Sequence, residues 1–200
     1  MGAVTVQRIE VTGPAGRVRR LVFDDGSSRT TSAAVIKVLA LEEGSLVDEE
    51  QLAQSEDSCA RDRVLRMLSS RERSRADVAS RLQTDGYSVA LSETICGRFV
   101  ELGLIDDDRF ARMLVRTQAR SGFGGRRIAA DLRRHGVAET IATAALAEEY
   151  GSETELLRTL LANRPRRDSD SREKVLRRFV NRGFSVTQVL EVLREEPRHE

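Results

Sequence analysis

The residue types that usually carry catalysis or bind metals are few in this sequence. It has two histidines, His135 and His199, and two cysteines, Cys59 and Cys96. Neither histidine has a cysteine or serine beside it in a nucleophile motif, and no group of Cys and His residues has the spacing of a zinc site. Two thiols cannot form a disulfide framework either. We therefore expect a protein of a reducing compartment that is not an enzyme and holds no metal or cofactor.

Three consecutive aspartates, Asp106 to Asp108, are the only other candidate for a metal site. Consecutive side chains diverge around the start of a helix, and the alternating acids and downstream Glu of a calcium loop are absent here. Acidic side chains at a helix N-terminus accept hydrogen bonds from its free N–H groups and favour its dipole. The sequence therefore predicts that Asp106 caps a helix beginning at Asp107.

Residues 121–127 (SGFGGRR) form a glycine-rich loop that enters a helix. A P-loop would need Lys and Ser or Thr after its last glycine, and this loop has two arginines there, so a nucleotide site is not expected. Two interpretations stay open. The loop is a joint that lets the next helix fold back, or it contacts a backbone phosphate or a partner's carboxylate, because helix N-termini attract anions.

Among the charged residues, arginine shows the clearest periodic spacing along the sequence. Nearly all of the positive charge is arginine, which binds phosphates and carboxylates through paired hydrogen bonds. Basic side chains recur at helical spacing in successive stretches, which is typical of polyanion-binding proteins but also of any solvated helix face. The candidates for contact with DNA or a partner protein are Arg112, Arg116, Arg120, Arg126, Arg127, Arg133, Arg134, Arg164, Arg166, Arg167, Lys174, Arg177 and Arg178.

The net charge conceals an uneven distribution. The 200 residues include 33 Lys and Arg and 32 Asp and Glu, for a formal charge of +1. Residues 38–58 contain seven acidic and no basic side chains, whereas residues 61–134 contain 16 basic and 10 acidic ones. No apolar run reaches the roughly 18–20 residues of a membrane span, and the first residues lack the pattern of a secretory signal. We expect a cytoplasmic protein without membrane association.

The helical part of the sequence contains three internal repeats. Each repeat has an apolar residue, a second one four positions later, a glycine four positions after that, and a final apolar residue. The matching segments are 78–87, 128–137 and 175–184. The apolar pair lies on one face of a helix, and the glycine supplies the left-handed conformation that ends it. The last apolar residue is then expected to pack back on the final helical turn.

Apolar stripes on both sides of each match predict nine helices in three tandem triplets. A triplet buries little by itself, so neighbours are expected to share a core in an elongated, curved array. Before the repeats, the sequence predicts a small β-hairpin region within residues 4–31, a helix up to Gly44, and a short acidic helix that includes Leu46 and Val47. The predicted class is mainly α. The predicted divisions are 1–56 for the N-terminal region and 57–105, 106–150 and 151–200 for the repeats.

Serines at the expected helix starts agree with these boundaries. Ser152 with Glu155 and Ser185 with Gln188 have the spacing of a capping box. Ser74 with Asp77 has the same spacing with the shorter acid. In a capping box the serine hydroxyl and the acid or amide three residues later each satisfy one free backbone N–H.

In combination, these motifs resemble the RecX family of recombination regulators. Residues 103–111 (GLIDDDRFA) closely resemble the most distinctive segment of that family, and residues 73–78 (RSRADV) resemble its Arg-Ser-Arg, acidic, aliphatic segment. Residues 122–146 continue in the family's order and spacing. The resemblance covers about residues 60–193, with Phe179 where leucine is more usual.

The resemblance implies tandem three-helix repeats and a protein that binds the RecA recombinase. It implies a place in the groove of the RecA filament on DNA, suppression of strand exchange and ATP hydrolysis, and so an effect on recombinational repair and the SOS response. A monomer that makes several linked weak contacts would suit that role, because linked contacts add through effective concentration. We expect its own binding to single- or double-stranded DNA to be weak and non-specific.

Two other functions remain compatible with the residues. Three-helix units also occur in helix-turn-helix proteins, which select a DNA sequence from random duplexes. The chain is alternatively a general helical scaffold for a different acidic partner. The near absence of aromatic residues from the basic faces argues against base-specific recognition of single strands.

Overall fold

A computed structural model of the protein describes residues 3–163 and 171–195. In this part the chain is mainly helical with a small N-terminal sheet, as the sequence predicts. The chain divides into two compact units, Met1–Asp106 and Asp107–Glu200. The first unit combines the N-terminal region with the first repeat, and the second unit contains the other two repeats.

The N-terminal sheet has four antiparallel strands in the order β3-β2-β1-β4. The strands are β1 (Val4–Thr12), β2 (Val18–Phe23), β3 (Ser28–Ser32) and β4 (Leu46–Val47). Val6, Leu21 and Phe23 point to the buried side of this sheet. Gln7, Arg8 and Arg20 on the same strands are exposed, as expected of a sheet that is buried on one face.

Strand β4 corrects the sequence prediction, which placed Leu46 and Val47 in a helix. The two residues instead pair with Thr5 and Val4 of β1. Val47 is almost fully buried, and the next residue, Asp48, is the N-cap of the following helix. Because Asp48 has extended backbone dihedrals, the chain enters that helix from a strand, and the helix cannot include Val47.

The acidic segment is also organised differently from the prediction. Helix α1 (Ala33–Val38) ends well before Gly44, and Ala40 has a positive φ of 48°. Helix α2 (Glu49–Leu68) is 20 residues long and passes without a break through residue 56, the predicted end of the N-terminal region. The expected short acidic helix and the first helix of the first repeat are therefore one element.

The remaining helices follow the predicted triplets. The first triplet comprises α2 with α3 (Arg75–Thr84) and α4 (Val89–Glu101). The second comprises α5 (Asp107–Arg120), α6 (Gly125–Arg134) and α7 (Glu139–Glu149). Within the described residues, the third comprises α8 (Glu153–Ala162), α9 (Arg172–Asn181) and α10 (Val186–Glu195).

The middle helix of each triplet ends in the turn that the repeats predict. Gly86, Gly136 and Gly183 all have positive φ values, of 100°, 69° and 99°. The N–H of the residue after each glycine donates to the carbonyl five residues earlier: Tyr87 to Leu82 at 3.1 Å, Val137 to Leu132 at 3.1 Å, and Phe184 to Phe179 at 3.2 Å. This bond is the signature of a Schellman turn. The residue after each glycine is buried, so the predicted packing on the last turn is confirmed.

Each triplet encloses a separate cluster of buried apolar side chains. The first cluster joins the sheet to the helices of the first triplet and contains Val6, Leu21, Val35, Val64, Leu82 and Ile95 among others. The second includes Phe110, Ala111, Val115, Ile128 and Leu132, and the third includes Leu157, Leu161, Val175, Phe179 and Phe184. The apolar pair of each repeat thus lies in its core, as expected from helical spacing.

The three predicted serine caps form hydrogen bonds at the expected helix starts. The Ser74 and Ser152 hydroxyls accept from the N–H groups of Asp77 and Glu155 at 3.1 and 3.3 Å. The Ser185 hydroxyl accepts from the N–H of Gln188 at 3.1 Å, and the Gln188 side chain accepts from the N–H of Ser185 at 3.2 Å. The Ser185–Gln188 pair thus forms both bonds of a capping box.

In the second unit, the loop before α6 crosses the turn after α9 at two glycines. The N–H of Gly124 donates to the carbonyl of Arg182 at 2.8 Å. A Cβ on Gly124 would lie 2.4 Å from the carbonyl carbon of Gly183, and a Cβ on Gly183 would lie 2.5 Å from the Cβ of Arg127. The two backbones can approach this closely only because neither position carries a side chain.

Gly124→Ala should therefore lower the free energy of unfolding by about 1–3 kcal/mol, because the added methyl group meets backbone atoms that cannot rotate away. Urea denaturation followed by circular dichroism measures the change. The matched control is Gly125→Ala, where the new Cβ would be no closer than 3.6 Å to Glu153. That substitution should be neutral or should stabilise by up to about 1 kcal/mol. Equal losses in the two variants would contradict the close crossing.

Candidate nucleic-acid and partner interface

The arginine stripe on α5 is largely engaged within the protein. The guanidinium of Arg112 lies 2.9 Å from Asp108 and 2.8 Å from Glu148, and that of Arg116 lies 3.2 Å from Glu149. The hydrogen bond with Asp108 and the charges of Asp108 and Glu148 raise the pKa of Arg112. Since Glu148 and Glu149 belong to α7, these pairs hold α5 against α7, and their positive charge is already compensated.

Arg120, the third member of this stripe, lies at the end of α5. It is exposed and forms no ion pair with any described residue. Of the three predicted positions on α5, it therefore offers the most accessible guanidinium to an external anion.

The four candidates on α6 divide into two classes. The Arg127 guanidinium lies over the Phe123 ring at 4.2 Å from its centroid, and Arg134 pairs with Asp131. Arg126 and Arg133 are exposed and have no ion pair within the described part of the chain. They are seven residues apart, or about two helical turns, so they lie on one face roughly 10 Å apart along the axis.

The candidates in the third triplet lie on or before α9. Lys174, Arg177 and Arg178 are all exposed on that helix. Arg164, Arg166 and Arg167 lie outside the described residues, so their predicted role stays a prediction. The structure therefore brings Arg126 and Arg133 to one face of α6, and Lys174, Arg177 and Arg178 to α9.

The glycine-rich loop has an internal anion at its helix N-terminus. The N–H of Gly125 donates to Glu153 Oε1 at 2.8 Å, and the side-chain amide of Gln188 donates to Glu153 Oε2 at 3.2 Å. Of the two interpretations left open by the sequence, the joint is the one that the structure supports. The carboxylate at this N-terminus comes from the same chain, and it fixes α6 to α8 and α10.

Tyr150 reinforces this junction from the end of α7. Its hydroxyl donates to the carbonyl of Phe123 at 2.8 Å. Burial and the nearby charge of Glu153 raise the pKa of Tyr150 well above its usual value. The phenol therefore stays protonated and can keep donating this hydrogen bond. Glu153 itself was missed by the sequence reasoning, because nothing near it in sequence signals a partner 28 residues away.

A buried carboxylate organises the arginines of the first unit. Asp85, at the end of α3, lies 2.6 Å from Arg63, 3.7 Å from Arg81 and 3.5 Å from Arg17. These arginines come from α2, α3 and the segment just before β2, so one carboxylate joins the first triplet to the sheet. Sequence reasoning also missed this group, whose members are scattered over many residues.

Of the residues considered for catalysis, Cys59, Cys96 and His135 occupy structural positions, and His199 lies outside the described residues. Cys59 and Cys96 are both buried free thiols, and burial raises the pKa of Cys96 to about 11. The ring of His135 contacts the ring of Phe110 edge-on, with 5.3 Å between centroids. Among the described residues, no cluster of His, Cys, Asp and Glu could hold a metal ion, and no helix is long and apolar enough to cross a membrane.

Comparisons of this chain with family models and with known proteins agree on one family. The family models described as the first and second three-helix domains of RecX match residues 60–99 and 106–146. The regulatory protein RecX of Mycobacterium sp. (strain KMS) is 35% identical over 143 residues, which cover 66% of this chain and 78% of that protein. The regulatory protein RecX of Mycobacterium leprae (strain Br4923) is 34% identical over 142 residues, covering 67% and 83%.

Solved structures show the same fold. The crystal structure of RecX from Lactobacillus salivarius matches with a TM-score of 0.60 and 26% identity, covering 70% of this chain and 95% of that one. A second crystal structure, of regulatory protein RecX, matches with a TM-score of 0.59 and 24% identity, covering 96% of this chain and all of the other. At that identity the second match supports the fold alone.

The internal carboxylate leads to a stability prediction. Glu153→Ala should lower the free energy of unfolding by about 1–2 kcal/mol, because the N–H of Gly125 and the amide of Gln188 lose their acceptor. Glu155→Ala is the control, since Glu155 lies exposed in the same first turn of α8. Urea denaturation compares the two variants. A Glu155→Ala loss as large as that of Glu153→Ala would show that general charge near α8, rather than this bond, stabilises the junction.

Proposed function

We propose a function that proceeds from one premise: the chain belongs to the RecX family of regulatory proteins. It binds the RecA recombinase and its filament on DNA, slows ATP hydrolysis and strand exchange, and thereby modulates recombinational repair and the SOS response. It acts by binding, as a cytoplasmic monomer without a cofactor or metal. The observation that carries the proposal is the set of exposed arginines in the second unit that no described carboxylate neutralises.

A RecA filament presents the kind of surface that these arginines suit. Its DNA contributes phosphates and its protein contributes carboxylates, and guanidinium groups bind both through paired hydrogen bonds. Arg120, Arg126, Arg133 and Arg177 have no compensating ion pair among the described residues. Binding an external anion at these positions would therefore break no ion pair among the described residues.

Helical repeats add a geometric reason for the same partner. Each triplet has its own core and its own exposed basic side chains, so several triplets can each make one weak contact. Contacts that are linked in one chain strengthen each other through effective concentration. Free DNA alone would engage only the phosphate-binding part of this surface, and we expect it to bind weakly and without sequence preference.

The first prediction from this proposed function concerns ATP hydrolysis. Purified protein added at substoichiometric amounts should slow the DNA-dependent ATPase of RecA, because one bound molecule affects neighbouring subunits of the filament. A coupled assay of phosphate release at increasing protein concentration measures this. Unchanged hydrolysis at equimolar protein would refute the proposal. Selection of one sequence from random duplexes would favour the helix-turn-helix alternative instead.

The second prediction concerns the exposed arginines of α6. Arg126→Glu with Arg133→Glu should weaken binding to the filament by about tenfold or more at low salt and should flatten the salt dependence, because phosphate contacts are lost. These residues are preferable to Arg112 and Arg116, where reversal would place Glu against Glu148 and Glu149 and disturb α5–α7 packing. The charge-matched control is Lys37→Glu with Arg98→Glu, two exposed positions of the first unit. Equal weakening by the control would show a general charge effect.

A further inference from the structure

A cleft of about 430 Å³ in the first unit is lined by five arginines. They are Arg63 and Arg66 near the end of α2, Arg71 and Arg73 in the link to α3, and Arg81 on α3. None of the described residues that line it is acidic. Its volume lies within the usual range of ligand pockets, roughly 300–1,000 Å³. A concave surface of this kind differs from the convex face of a solvated helix.

Two of the five arginines pair with a carboxylate that is not among the lining residues of the cleft. Asp85 lies 2.6 Å from Arg63 and 3.7 Å from Arg81, and it is buried. The same carboxylate also faces Arg17 at 3.5 Å. One negative charge is therefore shared by two arginines of the cleft and by Arg17, so Asp85 does not neutralise Arg63 and Arg81 completely.

The other three arginines have no ion pair within the described residues. Arg66 and Arg73 donate to the backbone carbonyls of Asp62 and Met67 at 3.3 and 3.4 Å, and Arg71 is exposed. Burial and the positive charge of Arg71 lower the pKa of Arg73, and the nearby charge of Asp77 offsets this only in part. An anion in the cleft would relieve this repulsion.

We propose that the cleft binds a phosphate group, held by Arg66, Arg71 and Arg73, with Arg63 and Arg81 adding positive charge to its lining. A phosphate offers three or more acceptor oxygens to several guanidinium groups at once, whereas a carboxylate offers only two. The phosphate comes either from a free polyphosphate or from the backbone of a nucleic acid. This site lies in the other unit from the arginines of α6, so it does not depend on the proposed action on RecA.

The test measures binding of two probes to the full chain by isothermal titration calorimetry at fixed ionic strength. The probes are inorganic pyrophosphate and a single-stranded DNA dodecamer. Arg71→Gln with Arg73→Gln should weaken binding of at least one probe by about tenfold or more, since two charged hydrogen-bond donors are lost. The control, Lys37→Gln with Arg98→Gln, removes the same charge at exposed positions of this unit and should stay within about twofold of wild type.

The outcomes separate the two sources of the phosphate. A loss for pyrophosphate alone assigns the cleft to a free polyphosphate, and a loss that includes the dodecamer assigns it to a nucleic-acid backbone. If the variant binds both probes as tightly as wild type, or if the control loses as much, the proposal is overturned. Circular dichroism checks the fold. If the double variant unfolds, the single variant Arg71→Gln, at an exposed position, is tested in the same way. Arg98→Gln is then the control.

Discussion

The structure depends on how each middle helix is stopped. Helices α3, α6 and α9 are each ten residues long, too short to be stable alone, and each ends where a glycine takes a positive φ. The next residue then turns back into the core through a hydrogen bond to the carbonyl five residues earlier. This reversal fixes where the third helix of the triplet begins, and so determines which side chains close the core. Without it, an amphipathic helix would have no partner for its apolar face.

Internal carboxylates decide which of the many arginines remain available. Asp85 gathers three guanidinium groups in the first unit, and Glu148 and Glu149 hold Arg112 and Arg116 in the second. Asp85 is buried, so removal of its arginine partners would leave a costly charge, whereas the pairs of Arg112 and Arg116 are exposed to water and contribute less. The accessible positive surface is what remains after these pairs form, which a count of arginines along the sequence does not reveal.

Local features of the fold could be predicted from sequence, and long-range ones could not. The glycine turns, the apolar pairs and the serine caps depend on residues within about ten positions, so their patterns identified three triplets correctly. Strand β4 pairs residues 46–47 with residues 4–5, and helix α2 runs on from an acidic segment into a repeat. Both depend on packing against the sheet. Glu148 lies far in sequence from Arg112, and Glu153 lies far from Gly125, so spacing alone gave no signal for these contacts.

The contact between Gly124 and Gly183 means that the third repeat restricts which residue the second repeat can have at one position. A Cβ at either position would meet atoms that stay in place whatever residue stands at the other, so each position excludes a side chain on its own account. A chain without the third repeat would lack the backbone that excludes a side chain at position 124. The requirement for glycine at position 124 therefore comes from the third repeat, although the residue itself lies in the second.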